Sequence, residues 1–359
     1  MTGICGFVGS ELARALLAER PGLAITGLDN LSREGAHHNL APLRALGVNI
    51  IHGDLRVAAD LDALPACDAV IDCAAQPSVL AGTAGSGCTP AQLVGHNLGG
   101  TLHLLEYCRS HSAAFILLST SRAYSIPPLA ALPVVVRRGA FTLDPAATLP
   151  PGVSASGIAE TFSTAAPVSL YGATKLASEQ MALEYGHAFG LPVWINRCGV
   201  LAGAGQFGRA DQGIFSFWIR EWAARRPLRH IGFDGVGHQV RDCLHPADLA
   251  PLLLAQLGSA ALDSRPSSLD SPAVPRILNV SGGATQAMSL RQLGAWCTER
   301  LGPHLVATDP EPRTYDLPWI VLDSSRAAEV WNWRPRTPLA SILEEIATHS
   351  LAHPAWPAV

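Results

Sequence analysis

Lysine is nearly absent from this chain. Lysine and arginine together number 25 in 359 residues, and only Lys175 among them is lysine. The net charge of -4 lacks the basic excess that nucleic-acid binding demands, so nucleic acid is excluded as a partner and any phosphate binding must be local. Charged residues make up only 15% and apolar residues 48%. That balance excludes a disordered chain held open by its own charge. No apolar run approaches the roughly 20 residues of a membrane-spanning helix, and no basic-then-apolar leader opens the sequence. The expectation is a cytoplasmic protein with no membrane partner. The eight cysteines are scattered, with no C-x-x-C pair and no His/Cys spacing suited to zinc, so no metal site is expected and the thiols read as reduced.

What is present alternates. "LAITGLDN" (23–30), "VNIIHGDL" (48–55), "DAVIDCAA" (68–75), "AFILLSTS" (114–121) and "LPVWINRC" (191–198) read as buried strands. Residues 11–19, 91–110 and 171–189 carry apolar side chains at helical spacing. Strand and helix in alternation imply an α/β fold, a doubly wound parallel sheet of the Rossmann type, because each parallel crossover needs a helix to return the chain. Residues 1–196 are expected to form this part, with 236–256 returning to it. Residues 197–235 and 257–353 are expected to form a smaller α/β substrate-binding part, with helices near 215–224, in "SLRQLGAWCTERLG" and in "PLASILEEIATHS". Residues 264–275, rich in Pro and Ser, read as a surface linker. Residues 125–167, long and weakly periodic, read as a lid or binding loop.

"TGICGFVGSELARALLAE" places Gly3, Gly6 and Gly9 three apart immediately before a helix. This spacing allows a tight turn and lets the backbone approach a pyrophosphate, which the helix N-terminus favours. Asp29 ends the second strand about 20 residues on, where a carboxylate accepts hydrogen bonds from an adenosine ribose and repels a 2'-phosphate. NAD is therefore favoured over NADP, with nearby Arg33 tempering the preference. Gly3, Gly6, Phe7, Gly9, Asp29 and Asn30 are the expected cofactor contacts here. Only Met1 and Thr2 precede the first glycine, where a central strand belongs. The native chain is therefore expected to begin several residues upstream.

The lone lysine lies in "SLYGATKLASEQM" (169–181), four residues after Tyr171, so the two side chains share one helix face. A phenol becomes a usable base when a cation stands close. An ammonium is compact and has three rotatable donors; the wider, planar guanidinium does not simply replace it. Tyr171 and Lys175 are accordingly expected to be catalytic and to lie at the cofactor.

With these residues the chain resembles the extended short-chain dehydrogenase/reductase family, over nearly its whole length. The resemblance implies that Thr120 in "LSTSRAYS" orients the reacting hydroxyl, that Asp54 and Leu55 after Gly53 face the adenine, that Ala74, Ala75 and Gln76 run beside the cofactor, and that Asn97 braces that site. It also implies substrate contacts from Ser121, Arg122, from Asn196 and Gln206 in "NRCGVLAGAGQFGRADQG" with its flank, and from Arg241, whose fork suits a pyrophosphate.

Family 4,6-dehydratases carry Asp-Glu after the Thr; Ser121 and Arg122 stand there instead. "SLYGATKLASEQMALEYG", "GIAETF" (157–162) and "YDLPWIVLDSSRAAEVWNWRP" resemble the nucleotide-sugar branch containing CDP-paratose 2-epimerase. The implied activity is NAD-dependent epimerisation of a nucleotide-activated sugar through a transient ketone, by a homodimer. A dehydratase or oxidoreductase on another nucleotide sugar, and a non-catalytic NAD-binding scaffold, are the alternatives.

Overall fold

A computed structural model of the chain describes residues 1–260 and 274–356. Its principal sheet is parallel throughout. Ile277–Val280, Val193–Cys198, Ala114–Thr120 and Ala69–Asp72 lie side by side, and Thr26–Asp29 pairs with Asn49–His52 beyond them. Every residue of Ala114–Thr120 and of Val193–Cys198 is buried. That is the mark of strands covered by helices on both faces, here Phe7–Glu19, Gly100–His111, Ser169–Phe189 and Ala250–Ala260. All five strands and the principal helices read from the sequence are present, within a few residues at their ends.

The two pieces of this sheet are joined where the sequence lacks a strand. Thr2 forms parallel bridges to Leu28 on one side and Asp72 on the other. Leu28 N–H donates to the Met1 carbonyl at 2.9 Å, and Thr2 N–H to the Ile71 carbonyl at 3.1 Å. The Thr2 hydroxyl donates to Asp72 Oδ1 at 2.6 Å and accepts from the N–H groups of Cys73 and Ala74, each at 3.1 Å. One buried threonine thus joins the two pieces in the middle of the sheet, just before the glycine loop.

Val240–Leu244 is the centre of a second, smaller sheet. It runs parallel to Val200–Leu201 and Trp319–Ile320 and antiparallel to Ala287–Ser289. Against this sheet Phe215, Trp218, Ile219 and Trp222 of helix Ile214–Ala223 pack on Ile342, Leu343, Ile346 and Ala347 of helix Leu339–Ala352. The expected boundaries need two corrections. Val240–Leu244 belongs to the second sheet, whereas Leu249 of the turn Pro246–Leu249 and Leu252 and Leu253 of helix Ala250–Ala260 pack in the first core. Ile277–Val280, assigned in sequence to the substrate-binding part, is the edge strand of the principal sheet beside Val193–Cys198. The expected linker at 264–275 lies almost wholly outside the described residues.

Residues 125–167 are not a structureless lid. They form a short helix, Ile126–Ala130, and two hairpins, Val134–Arg137 with Ala140–Leu143 and Val153–Ser154 with Gly157–Ile158. Tyr124, Leu129, Ile158 and Phe162 join Trp319, Ile320 and Leu322 in one apolar cluster, so this segment is spent on packing. Near the end of the described residues, Trp356 stacks on two rings from distant parts of the chain. His38 stacks on it at 5.0 Å and Phe207 at 5.6 Å, the latter tilted by only 8°.

Replacing Thr2 by Val keeps the shape and removes the hydroxyl, leaving the buried Asp72 carboxylate and the Cys73 N–H short of a partner, while Ala74 N–H keeps Asp72 Oδ1 at 3.3 Å. The expected cost is about 2–4 kcal/mol in denaturant unfolding, with Thr2→Ser close to the parent; equal stability of Thr2→Val would refute the joint.

Candidate active site and cofactor cleft

A cavity of about 680 Å³ runs between the two sheets along the carboxyl ends of the parallel strands. This is where the doubly wound topology leaves a crevice. One end is walled by Gly3, Gly6, Phe7 and Gly9, with Asp29, Asn30, Asp54, Leu55, Ala74 and Ala75 alongside. Gly3 has a φ of +56°, and a Cβ on Gly9 would run into the Gly3 carbonyl. The loop therefore presents bare backbone to the cavity because no side chain fits inside it. Asp29 holds it in place, accepting from Cys5 N–H and Leu31 N–H, both at 2.8 Å. Asp54 accepts from Asn30 Nδ2 at 3.0 Å and pairs with Arg56 at 2.6 Å; Arg56 above all holds its carboxyl well below the usual range.

Arg33 does not stand as a free cation beside Asp29. Its guanidinium donates to the Phe207 carbonyl at 2.7 Å and to Gln212 Oε1 at 2.9 Å. Ser78 donates to Asp211 in the same segment. Residues 207–212 thereby cross from the second part over the glycine-loop end, a connection that no local sequence signal announces.

At the middle of the cavity stand Thr120, Tyr171 and Lys175, all on its wall. Thr120 ends its strand and its Oγ1 accepts from Arg122 N–H at 3.1 Å, leaving the hydroxyl proton for an incoming oxygen. Tyr171 and Lys175 occupy successive turns of helix Ser169–Phe189. Gly172 lets the helix come this close, since a Cβ there would strike the Arg122 carbonyl. Lys175 is 3% exposed, and its ammonium makes no hydrogen bond or ion pair among the described residues. Burying an ammonium without a partner costs on the order of several kcal/mol, so a ligand with acceptor oxygens is what this position fits. The bare loop, Asp29 at the strand end and this ammonium together fit a dinucleotide.

The far end is cationic. Arg122 and Arg241 line it with Arg313, Tyr315 and Asp316. Arg241 pairs with Asp316 at 2.8 Å, and Arg122 donates to the Tyr315 carbonyl at 3.1 Å. Burial, with Arg241 next in effect, lowers Arg122 to about 10, so it stays charged at neutral pH. Three guanidiniums and one carboxylate on this part of the wall leave an excess of positive charge that favours an anionic ligand. Ser121 and Gln206 also reach the wall; Gln206 donates to the Leu201 carbonyl at 2.9 Å and accepts from Ser216 at 2.7 Å.

Asn196 and Gln76, expected as contacts, and Asn97, expected as a brace, are not on the wall. Asn196 is fully buried and exchanges two 3.0 Å hydrogen bonds with Gln256, so the expected substrate contact fails: its amide is consumed on the side away from the cavity. Asn97 holds the Gln76 backbone: Gln76 N–H donates to Asn97 Oδ1 at 2.8 Å, and Asn97 Nδ2 donates to the Gln76 carbonyl at 3.3 Å and to Thr174 Oγ1 at 3.0 Å. Asn97 braces the loop against the long helix from a π-helical turn, Gly95–Gly99. Residues 125–167 contribute nothing to the wall. Arg313 and Asp316 were missed in the sequence, although "EPRTYD" is a local polar cluster before an apolar run.

Residues 1–267 match the profile of the NAD dependent epimerase/dehydratase family. The chain is similar to CDP-paratose 2-epimerase of Salmonella typhi, 28% identical and covering 94% of each chain. It is 26% identical to UDP-glucuronate 4-epimerase 1 of Arabidopsis thaliana over 98% of this chain and 76% of that one. Among solved structures it resembles the UDP-glucose 4-epimerase of Thermus thermophilus in complex with NAD, with a TM-score of 0.70, 26% identity and 97% coverage of both chains.

Gly9→Ala must push the Gly3 carbonyl into the cleft. Its affinity for NAD is expected to fall roughly tenfold or more, read by equilibrium dialysis; unchanged affinity would show that the loop does not carry the cofactor.

Proposed function

The chain belongs to the NAD dependent epimerase/dehydratase family, and from that premise we propose that it is an epimerase that inverts one carbon of a nucleotide-activated sugar. The observation that carries this reading is one cavity joining a dinucleotide cradle, the Thr120, Tyr171 and Lys175 group, and an arginine-lined end. Bound in the cradle, NAD would supply hydride acceptance and hydride return at the sugar carbon. Gly3, Gly6 and Gly9 bring backbone to its phosphates, and Asp29 stands for its ribose. Residues 1–196 carry most of that duty, and the second sheet with its helices supplies the substrate end. Ser121, Arg122, Gln206 and Arg241 hold the substrate, with Arg122 and Arg241 matched to phosphate charge.

The chemistry of the chain's own residues follows from position. Thr120 donates its free hydroxyl proton to the sugar oxygen and so orients it. Tyr171 acts as the base, taking the proton from that hydroxyl as the carbon becomes a ketone. Lys175, one helical turn on and on the same wall, offers its ammonium donors to the ligand's oxygens. After the keto sugar presents its other face, Tyr171 returns the proton to the oxygen and the inverted alcohol is released with no net oxidation. Ser121 and Arg122 supply no acid–base pair next to Thr120, which favours epimerisation over elimination of water.

Work in the cytoplasm as a homodimer belongs to the same reading. All eight cysteines are unpaired, as a reducing compartment requires. Val94, Leu170 and Phe189 leave exposed apolar side chains on the helices that flank the sheet. Light scattering is expected to give twice the mass of 37.7 kDa; a monomer at micromolar concentration would overturn the assembly.

Tyr171→Phe is expected to keep NAD bound and to lose at least roughly 100-fold in turnover. A panel of CDP-, UDP- and GDP-sugars in deuterated water is expected to yield an epimer of one of them with no solvent deuterium at the inverted carbon. Accumulating NADH or a product lighter by water would instead establish an oxidoreductase or a dehydratase, and an active Tyr171→Phe would remove the proposed base.

A further inference from the structure

Directly beneath the cavity floor lies a buried ionic group that the reaction itself does not use. Glu179 stands on the long helix one turn beyond Lys175 and is 2% exposed. Its carboxylate takes a forked pair from Arg197, with Nη2 to Oε2 at 2.6 Å and Nε to Oε1 at 3.1 Å. The Ser119 hydroxyl donates to the same Oε1. Ser119 and Arg197 are cross-strand partners in neighbouring strands, and the next pair along is Thr120 with Cys198, both on the cavity wall. One carboxylate therefore ties the helix that bears Tyr171 and Lys175 to the strand that bears Thr120, one residue below the reacting level.

The tie is anchored from behind as well. The Arg197 guanidinium lies 5.1 Å from the centre of the Tyr124 ring. Tyr124 donates to Asn279 Oδ1 at 2.6 Å, and Asn279 Nδ2 to the Ile158 carbonyl at 2.8 Å. Stability alone does not call for such an arrangement. A buried ion pair replaced by apolar side chains of similar volume is often neutral or even stabilising, because two charges no longer have to be desolvated. What an apolar pair cannot supply is direction: a fork on a carboxylate fixes the separation and angle of the elements that carry it.

Resting on the epimerase reading above, we infer that Glu179 is a positioning residue, which through Arg197 and Ser119 sets the distance between the Thr120 hydroxyl and the Tyr171–Lys175 pair. Proton transfer and hydride movement need their partners in register, and a misplacement of about 1 Å costs on the order of 100-fold. Neither Glu179 nor Arg197 is on the cavity wall, so their loss leaves binding of cofactor and substrate in place.

The test separates position from stability. In the double variant Glu179→Met with Arg197→Met, both charges go together. Melting temperature and NAD content are expected to stay near those of the parent and KM within about twofold, while kcat falls roughly 10- to 100-fold. A double variant with parental kcat, or one in which kcat falls only as far as the folded fraction does, overturns the inference. Should the double variant not fold, Arg197→Lys decides: it keeps the charge and loses the fork, so kcat is expected to drop about tenfold at unchanged KM and NAD content, and an unchanged kcat overturns the inference. Tyr171→Phe is assayed in parallel. If it still turns over, the functional reading fails whatever Glu179 does; if it is dead while the Glu179 variants retain kcat, only the positioning role fails.

Discussion

Everything at this site depends on how closely helix Ser169–Phe189 can lie on the carboxyl ends of two neighbouring parallel strands. Gly172 removes the one Cβ that would hold the helix off the Arg122 carbonyl. Once the helix is seated, Tyr171 and Lys175 reach the same cavity wall as Thr120, and Glu179 falls against Arg197 and Ser119. The buried ammonium of Lys175 is tolerable only in a place where acceptor oxygens arrive from a ligand. Packing, electrostatics and chemistry thus share one contact surface.

That surface was legible in the sequence where the signal is local. Three glycines before a helix, a carboxylate after the second strand, and a tyrosine four residues ahead of the lone lysine each speak through spacing within one element. Asn196 misled because its fate is decided 60 residues away. Strand alternation puts it on the same side as Cys198, but two residues deeper, where Gln256 closes over it. Residues 125–167 misled for a related reason: short hairpins with few periodic residues leave little trace until Trp319 and Ile320 arrive to cover them. The return of Ile277–Val280 to the principal sheet is a long-range pairing of the same kind, set by an edge that Val193–Cys198 leaves open.

The charge pattern has its own logic. The chain writes arginine almost wherever it needs a cation, and at the far end of the cavity three of them, Arg122, Arg241 and Arg313, share the wall with Asp316, which pairs with Arg241. A guanidinium can share that space because carbonyls such as that of Tyr315 take up its spare donors. Lys175 is different in having no protein acceptor among the described residues.

Trp356 ties distant parts of the chain to the cleft. Its indole stacks on His38 and on Phe207, and Phe207 lies in the segment that Arg33 and Ser78 also fasten. Phe207, Asp211 and Gln212 are themselves on the cavity wall. A stretch of that wall therefore takes its position from an aromatic contact made near the far end of the sequence.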